Sequence, residues 1–401
     1  MTPHVESPAA AGAPEAAAAS PGALARARRR DRRVYLRGHP LLFGLLAATR
    51  GRPVRRIGRT LLVHGAEPYR EALTRIRLDR TAEGTTGGAA RAALAGSGPG
   101  GGSGPEGGGC PARGGVLFDQ DGADHRAERR AAADQFGAAG VERLRPVWQR
   151  ALAAGLEPLA HGGEVDLVAL AREVSGAVVC GLLDCSAPPR AVAEACASAA
   201  SASVRAHLPG PRNRRAERAA ARTAAELDRL LGAEGDPLPA MVAVAAVNTT
   251  VAALPRAAAW CADAGLWGQA ADPALRPALA DELLRVTAPS PLLPRVAAEP
   301  AELSGHPVRP GDRLLLIARH AAEAHRTAPD AHHPAEPSLT HSVFGAGPHT
   351  CPGARMARAQ LTDALGYLAP YGPRVVRARA DRRAALPSWG ELAVRAGEVA
   401  R

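Results

Sequence analysis

The chain has 401 residues, and 46% of them are hydrophobic, which suffices for one large domain or two ordinary ones. Its 50 basic residues are all arginines and outnumber 39 acidic residues, for a formal charge of +11. Only 3% of the residues are aromatic and no basic stretch alternates with them, so a nucleic-acid-binding protein is not expected. No uninterrupted apolar run of 18 residues, roughly the length of a membrane-spanning helix, appears, so neither a spanning helix nor membrane contact is expected.

The N-terminal segment combines low complexity with one apolar stretch. Residues 1–27 are rich in Ala and Pro without periodicity, which predicts a disordered tail ahead of a domain over 28–401. The arginine pair at 32–33, followed by apolar residues 40–48, is similar to a twin-arginine export signal. The same stretch also fits a first core helix, and we favour that interpretation. Six cysteines without C-x-x-C spacing then predict a reduced, cytoplasmic protein.

Hydrophobic periodicity predicts a mainly helical domain with a small sheet. Residues 54–65 alternate as in a hairpin, residues 66–76 follow a helical pattern, and residues 308–318 suggest a strand. The Gly-rich segment 81–115 is either a linker between domains or a mobile loop over a site, and we expect the mobile loop. Further helical patterns cover 121–160, 165–185, 188–207, 215–233, 239–263 and 273–287.

One cysteine stands in an unusual setting, in the sequence FGAGPHTCPGARMARAQ at 344–360. Glycines and prolines crowd around Cys351, and residues of these types make tight, fixed turns. A helical pattern starts directly after them, so Cys351 lies where a rigid loop meets a helix N-terminus. Backbone N–H groups there are expected to lower the pKa of the thiol. Most buried cysteines are inert, but a thiolate in this position is a nucleophile or a metal ligand.

Two charged pairs accompany this loop. Glu282 and Arg285 are spaced i, i+3 and can form an ion pair on one helix face. His125 and Arg129, spaced i, i+4, can present two donors to one anion. Taken alone, each pair is also typical of a solvated helix face.

A polar step, Asn248-Thr249-Thr250, interrupts the apolar helical pattern at 239–263. Threonine is a mediocre helix former unless its hydroxyl bonds back to a carbonyl or meets a ligand or water. The step therefore indicates either a helix kink or a polar face turned to a ligand.

Taken in order, these patterns resemble the cytochrome P-450 family, the haem-thiolate oxygenases. The loop carries the family's F-x-x-G-x-H-x-C-x-G pattern at Phe344, Gly347, His349, Cys351 and Gly353. The family's E-x-x-R pair is matched 69 residues before the cysteine, by Glu282 and Arg285. Arg295 and His341 fall where bacterial members carry an arginine and a histidine. The resemblance covers roughly 30–401 and implies the family's fold, mainly α with a small β-sheet in a single large helical domain.

The resemblance implies a role for each residue around the loop. Cys351 would be the axial ligand of the iron in haem b (iron protoporphyrin IX). The loop around the sulfur would be shaped by Phe344, Gly345 and Gly353. The two haem propionates would pair with His125, Arg129, Arg295 and His349.

The pair formed by Glu282 and Arg285 would be structural. The family usually adds an arginine as a third partner, and this chain has PDAHHPAE in that region. His332 and His333 are the candidate replacements.

The helical pattern at 239–263 would be the family's distal helix, and it departs from the family pattern A/G-G-x-D/E-T. The threonine is kept as Thr249, but Asn248 stands in place of the acid and Ala246 in place of the glycine. Because an amide cannot titrate, Asn248 can hold a water molecule but cannot supply a proton. We take Thr249, Asn248 and Thr250 as the candidate catalytic residues.

The resemblance implies a monooxygenase or oxidase that activates O2 to hydroxylate or otherwise oxidise a small organic molecule, in secondary-metabolite biosynthesis. Electrons are expected from a ferredoxin and its ferredoxin reductase. Family members that couple aromatic rings or use peroxide are among those that depart at the acid position, so aryl, C–C or C–N coupling or peroxide-dependent chemistry is the alternative. A haem-binding protein without catalysis is a third possibility, against which the intact Cys351 and Thr249 argue.

Overall fold

The computed structural model describes residues 20–79, 81–85, 127, 129–130, 134–206, 213–233 and 236–397. Its helices are α1 (Pro21–Gly38), α2 (Pro40–Thr49), α3 (Ala66–Thr74), α4 (Ala138–Ala160), α5 (Leu167–Leu183), α6 (Pro189–Ala206), α7 (Arg214–Leu231), α8 (Pro237–Ala264), α9 (Trp267–Ala271), α10 (Arg276–Thr287), α11 (Ala318–Ala321), α12 (Pro337–Thr340) and α13 (Ala354–Leu368). Its strands are β1 (Val54–Ile57), β2 (Thr60–Val63), β3 (Leu78–Asp79), β4 (Glu164–Asp166), β5 (Leu293–Ala297), β6 (Ala301–Leu303), β7 (His306–Val308), β8 (Arg313–Leu316), β9 (Arg374–Ala380) and β10 (Trp389–Arg395). The mainly α fold predicted from the sequence is confirmed. The predicted mobile loop, beyond residue 85, lies outside the described residues.

The described strands form three small sheets. The largest has the order β1-β2-β8-β5-β3, in which β2 and β8 are parallel and the other neighbours antiparallel. The predicted hairpin is confirmed, because β1 and β2 pair directly and Gly58 has the positive φ of +56° that a tight hairpin turn requires. The two other sheets have the orders β4-β10-β9 and β6-β7.

The long helix α8 is the centre of the helical part and packs against α1, α5, α6 and α10. It begins where the side chain of Asp236 accepts the N–H of Leu238 at 3.0 Å, and it ends at Gly265 with a φ of +72°. By length and apolar composition, Leu238–Ala264 is a segment that could cross a membrane. Its second half instead packs into the protein core, where Trp260 and Cys261 are buried with residues of α10 and α13.

The helix that follows the cysteine, α13, is fixed by two ion pairs. Asp363 accepts from Arg145 at 2.8 Å and from the indole N–H of Trp148 at 2.9 Å, which ties α13 to α4. Arg358 donates to Asp281 on α10. The end of the cysteine loop is therefore anchored on two other helices.

The predicted disordered tail over 1–27 is wrong from residue 21 onward, because α1 begins at Pro21. Ser20 caps this helix by accepting the N–H of Ala23 at 3.3 Å. Asp31, only 4% exposed, accepts from Arg256 at 2.9 and 2.6 Å and from Arg319 at 2.8 Å. Composition cannot reveal these partners, since they lie far away in the sequence. Residues 1–19 lie outside the described chain.

The apolar stretch at 40–48 does form a helix, α2, but it is not a core helix. Leu46 and Thr49 are buried, whereas Leu41, Leu45 and Leu42 are 89%, 48% and 36% exposed. The sequence could not show this, because all faces of α2 are apolar and the helical pattern therefore does not mark a buried side.

Candidate functional site

The loop before Cys351 is closed by its own backbone. The N–H of Cys351 donates to the carbonyl of Phe344 at 2.8 Å, and a short 3-10 turn, Gly347–His349, lies between them. Gly345 and Gly347 have φ values of +83° and +69°, which glycine adopts far more easily than other residues. A Cβ on Gly347 would also lie 3.3 Å from the Cγ2 of Thr74, where the loop rests on α3. The backbone thus requires glycine at Gly347, which belongs to the sequence pattern, and at Gly345.

Cys351 lies next to the N-terminus of α13, as predicted, and is an exposed residue. A Cβ on Gly353, the residue before α13, would lie 3.9 Å from the Sγ of Cys351. Desolvation raises the pKa of Cys351 above its usual range, while the backbone N–H of Gly353 and the charge of Arg129 act to lower it. The predicted net lowering of this pKa is wrong for the protein alone, because the loss of water outweighs the amide and the arginine. Such a thiol ionises when a cation binds it, which favours a metal ligand over a free nucleophile.

Two arginines place positive charge near this loop and on β5. Arg129 donates from Nη1 to the carbonyl of Thr350 at 2.5 Å, so its guanidinium lies on the cysteine loop. Arg295 is half-buried on β5 and donates to the carbonyl of Pro294 at 2.9 Å. Its buried Nε has no hydrogen-bond partner among the described residues. Burial lowers the pKa of Arg295, and its interaction with Tyr69 only partly opposes this shift. A desolvated guanidinium with an unused N–H is suited to bind an anion.

Tyr69 on α3 was not identified from the sequence. Its hydroxyl donates to the carbonyl of Ser342 at 3.0 Å, two residues before Phe344, and its ring is close enough to Arg295 to affect the pKa of that group. Tyr69 thereby connects Arg295 to the start of the cysteine loop. Its spacing in α3 is that of an ordinary core residue, so no sequence signal distinguishes it.

Two histidines of the sequence patterns lie before Cys351: His349, a predicted partner of the propionates, and His341, which only matches a position where bacterial family members carry a histidine. His349 is half-buried in the 3-10 turn before Cys351. His341 is exposed at the start of another 3-10 turn, His341–Phe344. His125 lies outside the described residues, and its role stays a prediction.

The predicted ion pair between Glu282 and Arg285 is present and fully buried, with side chains 2% and 1% exposed. Arg285 donates from Nε at 3.0 Å and from Nη2 at 2.5 Å to the two carboxylate oxygens of Glu282. A buried pair of this kind is stable only when its remaining hydrogen-bonding groups are also satisfied.

Backbone groups complete the pair, and the predicted histidine replacement is wrong. Arg285 donates to the carbonyls of Ala322 and Ala328 at 3.2 and 3.4 Å, and Glu282 accepts the N–H of Ala335 at 3.0 Å. His332 and His333 are exposed; the backbone N–H of His332 donates to one carboxylate oxygen of Asp330 at 3.0 Å, and the ring Nδ1 of His333 lies 3.1 Å from the other. Because the chain itself wraps around the pair, no third side chain is needed, and the segment leading to the cysteine loop is held in place.

The polar step on α8 divides into two different environments. The hydroxyl of Thr249 donates back to the carbonyls of Ala245 and Ala246 at 2.8 and 3.3 Å. Ala245 is exposed, so the face it shares with Thr249 is open rather than packed. Asn248 lies on another side of the helix and donates from Nδ2 to the carbonyl of Val244 at 2.8 Å and to that of Cys196 on α6 at 3.4 Å.

These contacts give Asn248 a link to a neighbouring helix that the sequence did not show. Thr250, two residues after Asn248, is half-buried. The helix α8 packs on α13, so the helix that carries the polar step contacts the helix that follows the cysteine loop. The catalytic roles of the three residues stay predictions.

Comparison with known proteins adds independent findings. The family model described as Cytochrome P450 matches residues 275–368. The 20-oxo-5-O-mycaminosyltylactone 23-monooxygenase of Streptomyces fradiae is 40% identical over 97 residues, which are 24% of this chain and 23% of that protein. The mycinamicin VIII C21 methyl hydroxylase of Micromonospora griseorubida is 36% identical over 101 residues, 24% of this chain and 25% of that protein. The chain therefore aligns with only about a quarter of the length of these curated relatives.

The fold extends the likeness to nearly the whole chain. The crystal structure of P450BioI in complex with hexadec-9Z-enoic acid ligated acyl carrier protein superposes with a TM-score of 0.70 at 17% identity. The superposition covers 90% of this chain and 99% of that one. The C-terminal family match contains the buried Glu282–Arg285 pair, and the fold around it is that of the same family. The C-terminal part of the chain is thus similar in sequence to the cytochrome P450 family, and the chain shares the fold of a solved member.

Proposed function

We propose that the protein is a haem-thiolate oxygenase that oxidises a small organic molecule. The observation that carries this proposal is Cys351, an exposed residue held at the N-terminus of α13 by a loop in which Gly345 and Gly347 have positive φ. The backbone N–H of Gly353 and the positive charge of Arg129 both favour the thiolate form of this residue. The site is thus built to hold a metal through one sulfur.

The residues present fit a haem. Haem is anionic through its two propionates, and Arg295 offers a buried Nε without a partner in the described chain. The lowered pKa of Arg295 means that its charge is poorly solvated, which an anion would correct. We therefore propose haem b, whose iron would be held by the sulfur of Cys351 and whose propionates would be bound by Arg129, Arg295 and His349. When bound, the haem supplies the activation of O2.

Residues of α8 would control proton delivery to O2. Thr249 presents a hydroxyl on the open face of α8, where it can hold a water molecule and pass a proton. The position at which the family pattern has an aspartate or glutamate is occupied by Asn248. Bond coupling or peroxide-dependent oxidation, which depend differently on proton delivery, is for this reason the second candidate function.

The substrate and the electron donors are proposed from the relatives. Two curated relatives are named as a 23-monooxygenase of 20-oxo-5-O-mycaminosyltylactone and a C21 methyl hydroxylase of mycinamicin VIII, and on this support we propose a role in secondary metabolism. We propose a ferredoxin and its reductase as the source of electrons. A cytoplasmic location stays a prediction.

The proposal is tested by spectroscopy of the purified protein. The reduced protein with carbon monoxide is expected to show the strongly red-shifted Soret band of thiolate ligation. Cys351→Ser should lose this band, whereas Cys185→Ser, at a half-buried cysteine on another part of the chain, should keep it. A histidine-type carbonyl spectrum from the intact protein, or an unchanged spectrum in Cys351→Ser, would contradict the proposal.

A further inference from the structure

The helix α2 exposes apolar side chains that nothing in the described chain covers. Leu41, Leu45 and Leu42 are 89%, 48% and 36% exposed, and they are three of the five exposed large hydrophobic residues among the described residues. Gly44 and Ala48 are exposed as well. Since positions 41, 44, 45 and 48 follow the i, i+3, i+4, i+7 spacing, they form one continuous apolar face.

The sequence around this face is strongly basic. Residues 32–66 contain eight arginines and no acidic residue. Arg33 and Arg37 precede α2, and Arg52 and Arg55 follow it, all with exposed side chains. Within the described residues, none of these four forms an ion pair or a hydrogen bond to a side chain. Exposed arginines without an ion pair in the described chain thus flank the apolar helix in sequence, before and after it.

The length and anchoring of α2 decide how it can meet a partner. At 10 residues it is far too short to cross a bilayer, which requires roughly 20 residues. Its inner side is fixed to the domain, because Leu46 packs with Leu62 and Ile317. The helix can therefore lie on a surface but cannot insert through it.

The chemistry of the face favours a lipid surface over a protein. A stable protein interface uses roughly 20–30 residues a side, and this face offers only a few leucines. Binding to an anionic bilayer requires fewer contact residues, because a few apolar side chains enter the headgroup region while arginines pair with the lipid phosphates. A nucleic acid would attract the arginines but would leave the leucines exposed to water.

We propose that the protein binds peripherally to anionic phospholipid membranes through α2 and the arginines that flank it. The exposed leucines enter the boundary between headgroups and acyl chains, and Arg33, Arg37, Arg52 and Arg55 contact the phosphates. This replaces the sequence-based expectation of no membrane contact, which considered only spanning helices. The proposal does not depend on the proposed enzymatic function.

The test is co-sedimentation of the full chain with vesicles of phosphatidylcholine alone or mixed with phosphatidylglycerol. The wild type should bind the mixed vesicles about tenfold more strongly than the neutral ones, and high salt should weaken this binding. Leu41→Asp combined with Leu45→Asp should reduce binding to the mixed vesicles by about tenfold or more. Arg37→Gln combined with Arg52→Gln should reduce it as well and remove part of its salt dependence.

Matched controls separate the proposed surface from general effects. Val376→Asp changes an apolar residue that is 37% exposed on β9, and Arg374→Gln removes an exposed arginine from the same strand. Both controls should bind vesicles as the wild type does, and circular dichroism should show that every variant is folded.

Three outcomes would overturn the proposal. The first is a wild type that does not bind the mixed vesicles. The second is binding that persists when Leu41 and Leu45 are both replaced, or that falls equally in the β9 controls. The third is self-association through α2, seen as a dimer in sedimentation velocity that the leucine variants dissociate while vesicle binding is absent.

Discussion

Replacing Asn248 with aspartate tests whether this side chain links two helices or stands in for a catalytic acid. Both oxygen atoms within reach of Nδ2 are backbone carbonyls, at 2.8 Å on Val244 and 3.4 Å on Cys196, so the group facing them must be a donor. An ionised carboxylate can only accept. Asn248→Asp therefore replaces a donor with a negative charge directed at two carbonyl oxygens.

The expected cost follows from these contacts. The lost hydrogen bond is worth about 1 kcal/mol, and a charge left without a donor adds about 1–3 kcal/mol. We expect Asn248→Asp to lower the free energy of unfolding by about 2–4 kcal/mol at neutral pH. In Asn248→Leu, which introduces no charge, the loss should be near 1 kcal/mol, because the carbonyl of Val244 lies in the middle of α8 and also accepts within the helix.

The sign of the pH dependence distinguishes the two variants. Repulsion raises the pKa of the introduced carboxyl in the folded state above about 3.9, its unfolded value. The folded state then binds more protons than the unfolded state, so the deficit of Asn248→Asp grows as the pH rises through this range. Urea unfolding at about pH 5 and about pH 8 should show a larger deficit at the higher pH for Asn248→Asp and an equal deficit at both for Asn248→Leu.

The reasoning would be refuted by an Asn248→Asp variant as stable as the wild type at about pH 8. If the same variant also produced more hydroxylated product per electron, position 248 would be free to act as an acid. Product yield and peroxide yield per electron, measured beside the unfolding curves, separate these results.

Three further predictions concern buried charges and histidines. Glu282→Gln should destabilise the protein by about 3–5 kcal/mol in urea unfolding, because it leaves the buried Arg285 without its anion, and a loss below 1 kcal/mol would contradict this. Asp31→Asn should cost a similar amount, because it leaves Arg256 and Arg319 without their anion. Protease should then cut α1 in the folded protein, and an unchanged cleavage pattern would show that Asp31 does not hold α1 on the domain. Burial lowers the pKa of His64 to about 4 and that of His320 to about 3, so below pH about 6.5 the folded state binds fewer protons than the unfolded state. The free energy of unfolding should therefore fall between pH about 6.5 and pH about 4, by up to about 1.4 kcal/mol per pH unit for each histidine. Urea midpoints that stay constant over this range would contradict the prediction.

Local features of the fold could be predicted because their physical causes are local. The β1–β2 hairpin follows from alternating side chains around Gly58, whose positive φ makes the turn. The cysteine loop follows from glycines that the backbone requires, at Gly345 and Gly347. Glu282 and Arg285 are close in sequence, so their spacing alone shows that they can pair.

Features that depend on distant partners could not be predicted. The direction of Asn248 depends on where α6 places the carbonyl of Cys196, 52 residues away. The groups that complete the pair of Glu282 are backbone atoms, which no residue type marks. The pKa of Cys351 is set by desolvation as well as by the helix N-terminus, and burial is known only from the folded structure.

The carboxylate of Asp31 also has a consequence for the order in which the chain folds during synthesis. Its two arginine partners lie 225 and 288 residues further along the chain. The ribosome must therefore complete 319 of the 401 residues before the N-terminal helix can reach its final position. Although α1 precedes the other described helices in the chain, its full set of contacts waits for a partner 288 residues later, and closing so long a loop is slow. A nascent or truncated chain that ends before residue 319 would leave this arginine-rich helix incompletely paired.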